Sequence, residues 1–549
     1  MYLSIREQAL SACRHLLSEL NRDPSTTSVG CFDRRFWAWK LTDFPEATFQ
    51  RNAAPLCWYM QQPEVKDEGA IQGWVKAAFL FTARIQHRDG SFDQAYPYER
   101  SYGATAFLLP DLISAYTAVQ DMFSEREKKR VKNCLTLAAE LLCKREEQHE
   151  FISNHLAGAA LGLLKAHQLF EKSEYLEKSN QIIAAVISAQ SEEGWFPEYS
   201  GADPGYQTLC MYYLAQIYRM QPSKSLHTAI ERSLAFLTYF AHPDGSFGGE
   251  YGSRRTEIYY PGGIALLADE FPAAAALTTA MIRSIENGRT TTVMDVDIGN
   301  TAPLLSNTIM AIDAPIALNE NDLLPMDSPS GSRYFEFAGI GTRSHPRYYA
   351  IYGLSNGGVL KVFRKADQCM ILDDCGLFGI TQRGNQVTSQ IHDPQAESII
   401  EDQTVQVRSR LGFVATASPN PFNYLLLRAA NLTFMRVPAL NEWIKKLMVK
   451  VLIKKDDFIP IERTRRIQFG SEKITIVDRI KKDVPTDLVR LQMGQKFSAI
   501  HMASARYFAP GQLEARSVFD LDCEILNHTG SLTQSLQIDI ETGIIEHLL

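Results

Sequence analysis

The chain has 549 residues, 45% of them hydrophobic and 22% charged, and a formal net charge of −7. That length exceeds one ordinary core and calls for two or three domains, and the composition excludes a disordered or fibrous protein. The acidic balance argues against nucleic acid as the main partner, and no run of about 18 apolar residues offers a membrane span.

At the start of the chain, Arg6 and Glu7 stand where a secretory segment would be apolar, which reads as a protein without a signal peptide. The nine cysteines are scattered and odd in number, so reduced thiols and a cytoplasmic location are expected, with no metal site and no cofactor. A weak first helical unit spans 36–39 and 54–60. Residues 74–85 carry a helical apolar pattern, lead into Asp89-Gly90-Ser91-Phe92, and are followed by a second helical stretch at 104–116. The turn returns as Glu193-Gly194-Trp195-Phe196, between helical stretches 179–189 and 206–218, and as Asp244-Gly245-Ser246-Phe247, before a helix from 263. The last two copies lie 51 residues apart, and the first two lie 104 apart. A degenerate copy falls where that spacing requires one, at Glu147-Gln148-His149-Glu150-Phe151-Ile152-Ser153-Asn154-His155, ahead of helical 156–170.

One Asp-Gly is only a turn signal, but copies in a helical period imply a repeated two-helix hairpin. A single hairpin cannot bury its apolar faces, so several must close on one another. The expected fold is multidomain: an N-terminal (α/α) toroid of helical hairpins over 1–288, with Asp89, Asn154, Glu193 and Asp244 on one rim. The texture changes between Ile285 and Asp295. Segments 290–298, 334–338, 348–352, 358–363, 370–373, 405–414, 423–427 and 473–477 are short, β-branched or aromatic, and broken by Gly, Pro, Asn and Asp. They predict an antiparallel β-sandwich over 289–549. Within it, 443–455 has apolar residues on one helical face and lysines at 445, 446, 450, 454 and 455. A basic amphipathic helix of this kind suits peripheral contact with the inner face of an anionic membrane; a helix packed on the β domain, or a strand at 451–453, is the alternative.

The rim carries the residues with chemistry. Asn154-His155 opens one helix; an Asn there is more often an N-cap and the His a surface residue. One repeat later, Trp195, Glu198, Tyr199 and Asp203 precede Tyr206, and the next loop brings Glu250, Tyr251, Arg254 and Arg255. A further loop offers Gln94, Tyr96, Tyr98, Glu99, Arg100 and Tyr102. Aromatic faces suit sugar rings and Arg suits carboxylate or sulfate, so an acidic polysaccharide or oligosaccharide is the expected partner.

Asn154-His155 followed 52 residues later by Tyr206, on a toroid with a β-sandwich behind it, resembles the heparinase II/III and alginate-lyase type of polysaccharide lyase. The resemblance implies that Asn154 neutralises a uronate carboxylate, that His155 stands nearby and that Tyr206 moves protons. Arg255 is a second donor to the carboxylate. Tyr98, Arg100, Trp195, Glu198, Tyr199, Asp203, Glu250, Tyr251 and Arg254 are expected to hold the substrate. The expected reaction is abstraction of the carbon-5 proton with elimination of the 4-O-linked sugar, Tyr206 acting as base, acid or both and His155 as the alternative base. The family commonly has Asp-x-Gly followed by a His-rich metal-binding stretch. Here Asp374-Cys375-Gly376 is followed by Arg383-Gly384-Asn385-Gln386-Val387-Thr388-Ser389-Gln390, with only His392 nearby. No zinc is therefore expected, and epimerisation at carbon 5 or a non-catalytic carbohydrate-binding role stands as the alternative. A toroidal glycosidase would instead use two of Glu198, Asp203 and Glu250.

Overall fold

A computed structural model describes residues 3–147, 151–199, 201–314, 323–414, 420–437, 440–441, 458–483, 487–494 and 519–548. Up to residue 314 the described elements are helices: α1 (Ile5–Glu19), α2 (Arg34–Trp37), α3 (Ala53–Met60), α4 (Glu68–Ile85), α5 (Tyr102–Val119), α6 (Glu125–Lys144) and α7 (Ser153–Phe170). The series continues with α8 (Ser173–Ser188), α9 (Pro204–Met220), α10 (Lys224–Leu237), α11 (Gly262–Leu266), α12 (Pro272–Glu286) and α13 (Ile298–Asp313). In order, α3, α5, α7, α9, α11 and α13 each pack on the next, and α13 returns to α3, so these helices close a ring. Every residue of α9 from Pro204 to Tyr218 is buried, the polar Gln207, Thr208 and Gln216 included, as its place in the inner ring between α7 and α11 requires. The outer helices are amphipathic; α6 buries Val131, Cys134, Leu135, Ala138 and Leu142 on one face.

The repeated turn has a physical cause. Gly90, Gly194 and Gly245 have φ of 91°, 99° and 87°, in the left-handed region that glycine tolerates. A Cβ on the first two would also lie 2.0 Å from the Leu137 carbonyl oxygen and 2.2 Å from that of Arg232. Each turn therefore abuts the next outer helix, and a side chain there would push the hairpins apart. All four turns, the degenerate one included, join an outer helix to the following inner one, which puts Asp89, Asn154, Glu193 and Asp244 on one rim as expected.

Beyond the toroid, β1 (Gly331–Phe335), β2 (Ile340–Ser344), β3 (Tyr348–Gly353), β4 (Val359–Arg364) and β5 (Cys369–Asp374) form an antiparallel meander in chain order. The larger, ten-stranded sheet holds β6 (Leu377–Thr381), β7 (Gln386–Thr388), β8 (Glu397–Ile400), β9 (Thr404–Phe413), β10 (Phe458–Phe469) and β11 (Lys473–Lys482). It also takes in β12 (Leu488–Met493), β13 (Phe519–Asp520), β14 (Ser531–Asp539) and β15 (Ile545–Leu548). Its order is β13-β12-β6-β7-β9-β10-β11-β14-β15, with β8 on β9. Strand β3 is buried along its whole length. Tyr348, Ala350 and Tyr352 face the larger sheet, while Tyr349 and Ile351 join the helical core. The five-stranded sheet is thus the middle layer between toroid and larger sheet, which holds the rim rigidly against the β-sandwich.

Two expected strands are helical or turn structure instead. At 290–298, Asp295 accepts from the Thr292 amide and hydroxyl, both at 2.8 Å, to make a turn, and Asp297 then caps α13. The helices therefore run on past residue 288 to Asp313. At 423–427 the chain is α14 (Pro421–Leu432), because Asn420 caps it, Pro421 opens it and Leu, Arg and Ala fill it. Phe422, Leu425 and Leu426 on α14 are exposed. A last short helix, α15, spans Cys523–Thr529. Residues 443–455 lie outside the described residues. No described helix is long and apolar enough to cross a membrane.

Candidate active site

Asn154 is not the cap of α7; Ile152 holds that position and Asn154 is the second helical residue. His155 is the third residue of α7 and Tyr206 the third of α9, so successive repeats present them at the same register on adjacent inner helices. Asp203 caps α9: its Oδ1 accepts the Tyr206 amide at 3.0 Å, and its Oδ2 accepts the Arg254 amide at 2.9 Å and the Thr256 amide at 3.3 Å. One carboxylate thus fixes both the start of α9 and the loop carrying Arg254.

Glu198 is the hub. Its Oε2 accepts from Asn154 Nδ2 at 2.7 Å and its Oε1 is ion-paired with Arg254. The Arg254 guanidinium lies over the Tyr206 ring, 3.7 Å from its centroid, and 5.1 Å from that of Tyr199. Burial pushes the Glu198 and Asp203 carboxyls up, and the Arg254 charge opposes this. Asn154 Oδ1 is buried without a hydrogen-bond partner among the described residues. His155 Nδ1 stands 2.8 Å from Glu147 Oε2, and its ring meets the Phe107 ring edge-on at 4.9 Å. Asn154, Glu198, Tyr199, Asp203, Tyr206 and Arg254 therefore form one connected cluster, with His155 next to Asn154 on α7.

The remaining expected residues go elsewhere. Arg255, at φ 58°, turns to the backbone carbonyl of Gln390 and ties the rim to the β-sandwich. Glu250 pairs with Lys361 at 2.9 Å, and Asn356 Nδ2 donates to the Glu250 carbonyl at 2.9 Å. Tyr251 is buried with its hydroxyl 2.8 Å from His242 Nε2. Trp195 Nε1 donates to Glu193, whose carboxylate also accepts the Phe337 and Ala338 amides. Arg100 pairs with Asp89 at 2.7 Å, and the Tyr98 ring lies under Arg436. Of the seven non-glycine residues with positive φ among the described residues, four are expected site residues: Tyr98, Arg100, Tyr199 and Arg255. Backbone strain of this kind costs about 1–3 kcal/mol per residue and gathers at functional sites. Glu147, Phe107, Lys361 and Asn356 were not legible as site residues; only the position of Glu147, in the glycine-free turn, hinted at a role.

The zinc that the resemblance raises does not fit the residues present. Asp374 pairs with Arg465 at 2.6 Å, Ser389 accepts from Arg463, and Gln390 donates to the Cys375 carbonyl. Guanidinium groups are thus the cations that Asp374 and Ser389 face. Glu250, Asp373 and Cys375 also bring ligand atoms within 4.8 Å of one another, but Lys361 Nζ stands 2.9 Å from Glu250 and 2.7 Å from Asp373. An ammonium sits where a metal ion would. A cavity of about 430 Å³ beside the Asp244 turn is lined by Tyr259, Arg283 and Arg289, among others, and by none of the cluster residues.

Residues 67–265 match the model of the ulvan lyase N-terminal domain, a span that holds the whole cluster. No curated protein sequence matches the chain. Among solved structures, the Streptomyces coelicolor A3 chondroitin AC lyase in complex with chondroitin sulphate is similar with a TM-score of 0.52 at 10% identity, over 89% of this chain and 67% of that one. A Paenibacillus xanthan lyase is similar with a TM-score of 0.53 at 10% identity, over 88% of this chain and 46% of that one, so the chain spans less than half of that protein. The toroid followed by a β domain is thus the fold of polysaccharide lyases, as the resemblance implied.

Proposed function

We propose that the protein is a carbon–oxygen lyase acting on a uronate-containing polysaccharide. The observation that carries this reading is the link from Asn154 through Glu198 and Arg254 to Tyr206, with His155 beside Asn154, at the N-terminal ends of α7 and α9. Removal of the carbon-5 proton requires the adjacent carboxylate to be neutralised. Asn154 has a second amide hydrogen beyond the one given to Glu198, and two helix N-termini add partial positive charge at the same end. Tyr206 and His155 then divide the work of accepting the carbon-5 proton and protonating the departing 4-oxygen. A cation against the Tyr206 ring stabilises negative charge on the phenol as its proton moves.

The glycosidase alternative is weakened by the same geometry. Glu198 is held by Arg254 and Asn154, Asp203 by three amides and Glu250 by Lys361, so each carboxylate already has a structural role. The test is incubation with uronate polymers, ulvan and chondroitin sulphate included, while following absorbance of the unsaturated product. Tyr206→Phe is expected to abolish turnover and leave binding largely intact; full activity in that variant removes Tyr206 from the mechanism. We also infer that 443–455 meets an anionic membrane surface, which its lysines and the exposed apolar residues of neighbouring α14 support. Failure to float with anionic vesicles ends that inference.

A further inference from the structure

We propose that Glu147 is a positioning residue that fixes the tautomer and the orientation of His155, a role that rests on the lyase reading for its purpose though not for its measurement. Glu147 lies in the degenerate turn, eight residues before His155, and its Oε2 stands 2.8 Å from Nδ1 of the ring. The Glu147 side chain is 6% exposed and that of His155 22%, so the carboxylate is shielded while the ring remains reachable from solvent.

The ring is also held by its walls. Phe107 meets it at an interplanar angle of 87°. One turn earlier on the same helix, α5, the absence of a side chain at Gly103 makes room for it: a Cβ there would lie 2.7 Å from His155 Cε1. Glycine is thus required at 103 by the imidazole, not by backbone conformation. Three contacts from two elements, the turn that carries Glu147 and helix α5, hold the ring in one orientation.

An ionised carboxylate only accepts hydrogen bonds, so the proton of neutral His155 sits on Nδ1 and the lone pair on Nε2. In water, neutral histidine prefers the opposite tautomer. Glu147 therefore holds His155 as a proton acceptor through Nε2, which assigns it the carbon-5 proton and leaves protonation of the 4-oxygen to Tyr206. The balance is complete: the C5–H electrons form the C4–C5 double bond as the C4–O4 bond breaks, Nε2 takes the carbon-bound proton, and the Tyr206 hydroxyl supplies the one on O4.

The test is 15N NMR of the full-length protein labelled at histidine, with His155→Gln used to assign the signal. The expected result is an Nδ1-protonated, Nε2-unprotonated His155 in the parent protein and a shift toward the Nε2-protonated form in Glu147→Gln. On a polymer that the parent cleaves, Glu147→Gln should lower kcat by about 10- to 100-fold with KM within about twofold, as loss of an orienting partner does. An Nε2-protonated His155 in the parent overturns the proposal whatever the variant does. So does a Glu147→Gln protein with lower kcat and an unchanged tautomer, because the carboxylate would then be merely structural. If the parent cleaves no polymer, the lyase reading fails, while the tautomer measurement still decides the role of Glu147.

Discussion

Replacing Arg254 by leucine removes the cation that faces Glu198 and covers Tyr206. The two side chains of the pair are 6% and 4% exposed, so water cannot take over the lost interaction. What remains to the Glu198 carboxylate is the Asn154 amide at 2.7 Å. Stripping one partner from a buried pair costs about 3–5 kcal/mol, against about 0–1 kcal/mol for an exposed one. The pH dependence has a definite sign. Burial already raises the folded-state pKa of Glu198 above its unfolded value, with Arg254 opposing, and the substitution raises it further. An acid with a raised folded pKa stabilises fully below its unfolded pKa, and that contribution is lost as pH rises through the folded value. The deficit of Arg254→Leu is therefore largest at neutral pH and shrinks at mildly acidic pH as Glu198 takes up a proton. Urea denaturation of parent and variant at both pH values, followed by helical circular dichroism, measures it. Glu198→Gln in the Arg254→Leu background should recover most of the loss. A deficit that is the same at both pH values, and that the second substitution does not relieve, refutes the claim that this pair organises the rim.

Gly103→Ala sets a methyl group 2.7 Å from His155 Cε1, so the imidazole must move; kcat should fall by about tenfold or more while stability drops by only about 1–3 kcal/mol, read from initial rates and urea midpoints. Lys361→Met leaves Glu250 and Asp373 facing each other without their ammonium and should cost about 3–5 kcal/mol in denaturant titration, with Glu250→Gln and Asp373→Asn together restoring most of it. With Lys361 and two guanidinium groups at the cation positions, a chelator should leave both the melting temperature and the turnover of the parent protein unchanged.

The toroid was legible because its turn repeats: Gly90, Gly194 and Gly245 must be glycine both for φ and for contact with the next hairpin. Spacing alone located the fourth copy, whose sequence has lost the signal. The strand texture was legible where side chains alternate between two cores, as in β3. It misled where local side-chain bonds override propensity, at Asp295 and at the Asn420-Pro421 start of α14. Rim membership could be read from register, but partners could not. Glu198 meets Asn154 across 44 residues and Arg254 across 56, and no local pattern encodes such pairs. The choice between Arg254 and Arg255 shows the limit most clearly. Neighbours in sequence, they diverge because Arg255 takes φ 58°, which sends one guanidinium to Tyr206 and the other to the β-sandwich.

Elimination and epimerisation begin alike and separate at the second proton. An epimerase must return a proton to the opposite face of carbon 5, which calls for carriers on both sides of the sugar ring. Elimination needs its acid at the 4-oxygen, next to the atom that loses the first proton. His155 and Tyr206 occupy the same position of successive repeats, on neighbouring inner helices and at one rim. Carriers side by side on one wall favour elimination. The prediction is that, in heavy water, unsaturated chain ends accumulate while uncleaved polymer gains little deuterium at carbon 5, measured by absorbance and by NMR on the same samples. Deuterium entering an intact polymer without unsaturated ends would mean that a proton reaches the far face. A carrier outside this cluster would then have to supply it, and the epimerase reading would replace the lyase one.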